Sequence, residues 1–93
     1  MKALNCLKLA HAADLSNVGE AYYNIRLHWA NLFLYSEVDD EILELLEDFC
    51  RYGLAEKSLK PDGNTYEVKA NISLNEALAI INKTDGTNHT FEN

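Results

Sequence analysis

An acidic, apolar-striped segment from Ser36 to Gly53, followed at once by two strand-length runs around Pro61-Asp62-Gly63-Asn64, constrains this chain more than any other feature. Val38, Ile42, Leu45, Leu46, Phe49 and Tyr52 recur at three- and four-residue steps, which puts them on one face of a helix. Ser36 is placed to accept the first amide hydrogen bonds of that helix, and Glu37, Asp39 and Asp40 oppose the positive end of its dipole. Gly53 stands where a left-handed C-cap is wanted. Beyond it the period changes. The runs 54–60 and 65–72 have strand length, and in the second Tyr66, Val68, Ala70 and Ile72 alternate with Glu67, Lys69 and Asn71. Pro61 presets the φ of a turn and Gly63 can take φ above zero, so the two runs are predicted to form an antiparallel hairpin.

The N-terminal third adds two helices. Leu4, Leu7, Ala10 and Ala13 have helical spacing, so the first spans about 3–14 and breaks at Leu15-Ser16-Asn17. Asn17 with Glu20 forms a capping box for the second, predicted over about 18–34 with Tyr22, Ile25, Trp29, Leu32 and Phe33 along its core stripe. Gly19 weakens only its first turn. Ser73 with Glu76 makes another capping box and opens a last helix through Leu74, Ala77, Leu78 and Ile81. The expected organisation is one domain over 1–83 and a flexible, Thr-, Asp-, Gly- and Asn-rich tail over 84–93. The fold class is α+β, mainly helical: three helices, a β-hairpin and a C-terminal helix.

Composition bears chiefly on partners. With eight Lys and Arg against fifteen Asp and Glu, the 93 residues carry a formal charge of −7, which disfavours nucleic-acid binding through a broad basic face. No apolar run approaches the ~20 residues of a spanning helix, and Asn5 and Lys8 interrupt the one stretch that could pass for a signal peptide. A cytoplasmic protein is expected, with Cys6 and Cys50 as reduced, buried thiols and no glycosylation at Asn71, Asn82 or Asn88. No metal and no cofactor are expected. Cys6 and His11 have only a weak ligand spacing, and no phosphate-cradling glycine loop, glycine elbow or pocketed carboxylate pair is present.

The run Leu45-Leu46-Glu47-Asp48-Phe49-Cys50-Arg51-Tyr52-Gly53-Leu54-Ala55-Glu56-Lys57, with Pro61-Asp62-Gly63-Asn64 and Tyr66-Glu67-Val68 after it, resembles the winged-helix variant of the helix-turn-helix. The resemblance covers about 35 residues by motif and the N-terminal half by element order. It implies a recognition helix that ends in a Gly-Leu pair, followed by a wing. In that family the third helix enters the major groove and its solvent face is basic or polar. Here Glu37, Asp39, Asp40, Glu41, Glu44, Glu47 and Asp48 face a single base, Arg51. Groove reading by this helix is contradicted by its charge.

Glu37, Glu41, Glu44 and Asp48 fall on one line of the helix, and Asp40, Glu44, Glu47 and Arg51 on the next. Asp40, Glu41, Glu44, Glu47, Asp48 and Arg51 are therefore the candidate partner-binding set, against the alternative of an ordinary solvated face. Lys57, Lys60 and Lys69 on the wing could touch phosphates or a neighbour's acidic helix, or simply guard strand edges. Tyr23 and Tyr35 lie off the core stripe and could join a partner interface. The expectation is a non-enzymatic regulatory or adaptor protein that binds a protein with a basic surface, in the transcription or nucleic-acid machinery. Two alternatives use the same residues: a phage-type DNA mimic that occupies a basic site, and a dimeric DNA-binding regulator that uses the wing lysines.

Overall fold

A computed structural model describes residues 2–32 and 35–91, with the backbone alone described at 35–37. Among them, α1 (Lys2–Ala12), α2 (Val18–Leu32), α3 (Tyr35–Arg51), β1 (Ala55–Lys60), β2 (Gly63–Val68) and α4 (Leu74–Asp85) follow in that order. The chain is α+β and mainly helical, with one two-stranded antiparallel sheet. Helices plus such a hairpin are compatible with a winged-helix-like arrangement. The expectations placed on Phe33 and Leu34, and on the side chains of Tyr35, Ser36 and Glu37, lie outside the described residues.

α1 is the hub, packed against α2, α3 and α4. Its Ala3, Cys6, Leu7 and Ala10 are completely buried, and so are Ala21 on α2 and Ala77 on α4. Small side chains at these contacts let the helix axes approach closely. Phe49, Leu7, Ile25, Leu45, Leu54 and Ile81 are the largest fully buried side chains. The stripe on α3 thus delivers its Leu45, Leu46, Phe49 and Tyr52 to the core as its spacing predicts. α2 differs at its end. Leu32 is 62% exposed rather than on the core stripe, whereas Trp29, one turn earlier, is buried with the Lys2 ammonium over its ring.

The caps mostly follow the sequence. Glu20 N–H donates to Asn17 Oδ1 at 2.9 Å, but the return contact differs from a reciprocal box. Glu20 Oε1 accepts from the Asn17 side-chain amide at 2.8 Å and from Ser16 Oγ at 2.9 Å. Glu76 N–H donates to Ser73 Oγ at 3.1 Å. Gly53 has φ 73°, the left-handed value that closes α3, and Leu54 N–H returns to Phe49 O at 2.8 Å. α1 stops two residues earlier than its apolar spacing suggests, at Ala12, where Asp14 takes φ 58°.

The hairpin has Lys60 opposite Gly63 and Ala55 opposite Val68. β2 therefore begins at Gly63 and ends at Val68, shorter at its far end than alternation predicts. From Ala70 the chain turns back toward α2: Asn17 and Ser73 form an isolated antiparallel bridge, with Val18 N–H to Ile72 O at 2.8 Å and Leu74 N–H to Ser16 O at 3.1 Å. That bridge needs Gly19. A Cβ there would lie 2.8 Å from the Ala70 Cβ, so its absence permits the close approach of α2 to the 69–72 turn.

α4 runs to Asp85 rather than stopping near Lys83, and Gly86 closes it at φ 67°. Residues 84–91, set apart by composition as a tail, lie against the body. The Asn82 side chain accepts from Thr87 Oγ1 at 2.9 Å and from His89 N–H at 2.8 Å, and donates to His89 O at 2.9 Å. Phe91 stacks on His11 with ring centroids 4.6 Å apart.

Candidate functional site

Folding brings most of the acidic strip on α3 against the chain's own donors. Lys2 Nζ donates to Glu41 and lies 3.2 Å from Glu44. Asp48 Oδ2 accepts the backbone N–H of Ala3 at 3.0 Å, in the first turn of α1. Lys57 Nζ donates to Glu47 Oε1 at 3.2 Å, and the Tyr66 hydroxyl donates to the same oxygen. Arg51 pairs with Asp85 of α4 at 2.9 Å. These contacts pin α3 to α1, to the hairpin and to α4. Asp39 and Asp40, at the N-terminal end of the strip, are exposed and have no side-chain partner among the described residues.

The titration of these groups follows from the pairing. The Tyr66 hydroxyl and then the Lys57 ammonium hold the Glu47 carboxyl below its ordinary value. Hydrogen bonding to Glu41 raises the Lys2 ammonium, offset in part by burial. Tyr52 is pushed up to about 12 by burial and then by its hydroxyl bond to Asp85 Oδ2 at 2.6 Å. Both cysteines are free thiols. Burial drives Cys6 up to about 12, whereas Cys50 is half-buried and raised chiefly by desolvation. His11 is exposed and stacks on Phe91, whereas Cys6 is buried in the core. Among the described residues no group of three or more His, Cys, Asp or Glu is arranged to hold a metal ion.

On the wing, Lys57 is taken by Glu47 and Lys69 by Glu56 at 2.6 Å. Lys60 alone of the three has no ion-pair partner among the described residues, and it sits beside the hairpin turn next to Leu59, which is 79% exposed.

The apolar surface lies elsewhere, on the outer side of α2. Tyr23 is 64% exposed and Leu27 54%, one helical turn apart. Together they make a ridge between two grooves. The first, about 410 Å³, runs between α2 and α3 and is lined by Arg26, Ala30, Val38, Asp39 and Ile42 in addition to the ridge. The second, about 640 Å³, reaches the 70–71 turn and is lined by Leu15, Gly19, Glu20, Asn24 and Ala70. Val38, Ile42 and Leu15 are half-buried against the core, so the groove floors are continuous with it. Arg26 lies over the Tyr22 ring at 5.7 Å and has no carboxylate partner among the described residues.

Sequence reading places Tyr23 off the core stripe but passes over Leu27. Its signal was present: Tyr23, Leu27 and Ala30 repeat at i, i+4 and i+7, a second apolar stripe beside that of Ala21, Ile25 and Trp29. Aromatic and aliphatic side chains exposed together between two apolar grooves are what a protein-binding surface requires. No described helix is long and apolar enough to cross a membrane. Comparison with known proteins finds no matching family model, no similar curated sequence and no similar solved structure.

Proposed function

We propose that this chain is a non-enzymatic, winged-helix-like regulatory or adaptor module that acts by binding another protein, and that the outer face of α2 makes the contact. The observation that carries this reading is the Tyr23–Leu27 ridge with an apolar groove on either side. Element order and the Gly53-Leu54 junction between α3 and the hairpin support the winged-helix part. The acidic strip supports it less directly. Glu41, Glu44, Glu47, Asp48 and Arg51 have intrachain partners, so their first role is to hold α3 in place. The same pairing weighs against DNA mimicry by the whole strip, and the capture of Lys57 and Lys69 weighs against a DNA-binding wing.

Site-specific photo-crosslinking tests the reading. A benzophenone amino acid replaces Tyr23 in one variant and Asp62, on the hairpin turn, in another, and both are expressed in the cells from which the chain derives. Position 23 is expected to give a discrete adduct with a second polypeptide while position 62 stays silent. Adducts from 62 alone, or tight retention of duplex DNA at low salt, would overturn it.

A further inference from the structure

We propose that the α2 face receives a single basic amphipathic helix, its apolar side laid across the Tyr23–Leu27 ridge with one anchor in each groove and its Lys or Arg flanks against Glu20, Asp39 and Asp40. This rests on the protein-binding reading and names the partner's chemistry. The shape argues for a helix. The ridge offers side chains and no free backbone, so an extended strand would find no ladder to join, whereas apolar anchors spaced along a helix can enter grooves on both sides of a ridge.

The charge argues for a basic one. Folding matches Glu41, Glu44 and Glu47 to lysines but leaves Asp39, which lines the first groove, and its neighbour Asp40 without a side-chain partner among the described residues. Glu20 lines the second groove with its carboxylate held only by neutral donors, Ser16 and Asn17. Arg26 is the single cation among the described residues of the two linings. A second copy of the chain fits poorly. Each copy carries −7, and a two-fold contact through this face would bring these acids toward their own counterparts. A neighbour's wing offers little charge of its own, because Lys57 and Lys69 are already paired and only Lys60 is left to face three acids.

Three labelled peptides of about 16 residues test the proposal by fluorescence anisotropy with the full chain: Leu and Lys at amphipathic helical spacing, the same residues scrambled, and a Leu/Glu version. Near physiological salt the ordered Leu/Lys peptide should bind about tenfold or more tightly than either control. Leu27→Ser and Tyr23→Ser, both at exposed positions, should each weaken it about tenfold, and Asp39→Asn with Asp40→Asn should flatten its salt dependence. Failure of the ordered peptide to bind, or binding that survives both Ser variants, overturns the proposal. So does sedimentation of the chain as a dimer that Leu27→Ser dissociates. A position-23 adduct to a polypeptide, with no binding of the Leu/Lys peptide, would sink this proposal and leave the protein-binding reading standing; absence of both would sink the two together.

Discussion

The Asp48 carboxylate on α3 accepts the backbone N–H of Ala3 at 3.0 Å, so one helix caps another across 45 residues of sequence. α1 has no acidic residue in its own first turn to meet the exposed amides there. Asp48 supplies both the acceptor and the negative charge that the helix N-terminus favours. Asp48→Ala should therefore destabilise the fold by about 0.5–2 kcal/mol, the usual range for loss of a cap. Asp48→Asn, which keeps an acceptor and loses the charge, should lie between. Urea midpoints at constant m-value would check the order, and an unchanged midpoint for Asp48→Ala would contradict the capping role.

Gly19 looks like a propensity defect in sequence and proves to be a packing requirement. Its missing Cβ lets α2 approach Ala70, and the Asn17–Ser73 bridge closes beside it. Gly19→Ala would gain about 1 kcal/mol of helix propensity in an open helix, yet here a Cβ meets Ala70 at a distance that real atoms do not adopt. The expected outcome is net destabilisation of roughly 1–3 kcal/mol, the range for overpacking. Combining it with Ala70→Gly should recover much of the loss. A double mutant no better than Gly19→Ala would show that the clash lies elsewhere.

Local signals explain which parts of this fold could be read in advance. The α3 stripe, the Asn17 and Ser73 caps, Gly53 and the Pro61 turn each act within a few residues, and each is found at or near its expected place. Long-range partnerships carry no such local mark. Nothing beside Asp48 announces Ala3, and nothing in the composition of residues 84–91 announces that Asn82 holds them with three hydrogen bonds. The same limit governs the surface. A line of acids on a helix reads as one negative face until the fold brings Lys2 to Glu41 and Glu44 and Lys57 to Glu47, and sets Asp39 in the lining of an apolar groove.

The Glu47, Lys57 and Tyr66 contact ties α3 to the hairpin and should leave a trace in acid. Bonding to Tyr66 and Lys57 lowers the Glu47 carboxyl below its unfolded value of about 4.3. A depressed carboxylate contributes stability that is complete above the unfolded value and is lost as pH falls through the lower folded value. Glu47→Gln should accordingly be less stable than the parent near neutrality, with the gap closing below about pH 4. Added salt should narrow the gap as well, since the group is at the surface. Urea titrations at several pH values would test this, and a gap that persists unchanged into acid would refute it.

Tyr52 gives the complementary signal in alkali. It is 4% exposed, and its hydroxyl donates to Asp85 while Arg51 holds the other oxygen of that carboxylate. Burial first and Asp85 second push its ionisation up to about 12, above the ordinary tyrosine value of about 10. The sign is opposite to that of Glu47. Stability from this neutral hydroxyl is fully present below about pH 10 and is lost as pH rises through 12. Tyr52→Phe keeps the ring in the core and removes the hydrogen bond to a charged acceptor, so it should cost about 1.5–3 kcal/mol at neutral pH. That cost should shrink across the same alkaline window, and the late tyrosinate step that the parent shows in absorbance near 295 nm, the usual tyrosinate band, should be missing from the variant. If the variant matched the parent at pH 7, or if Tyr52→Phe removed no late step from the alkaline titration, the Tyr52–Asp85 bond would not be holding α3 to α4.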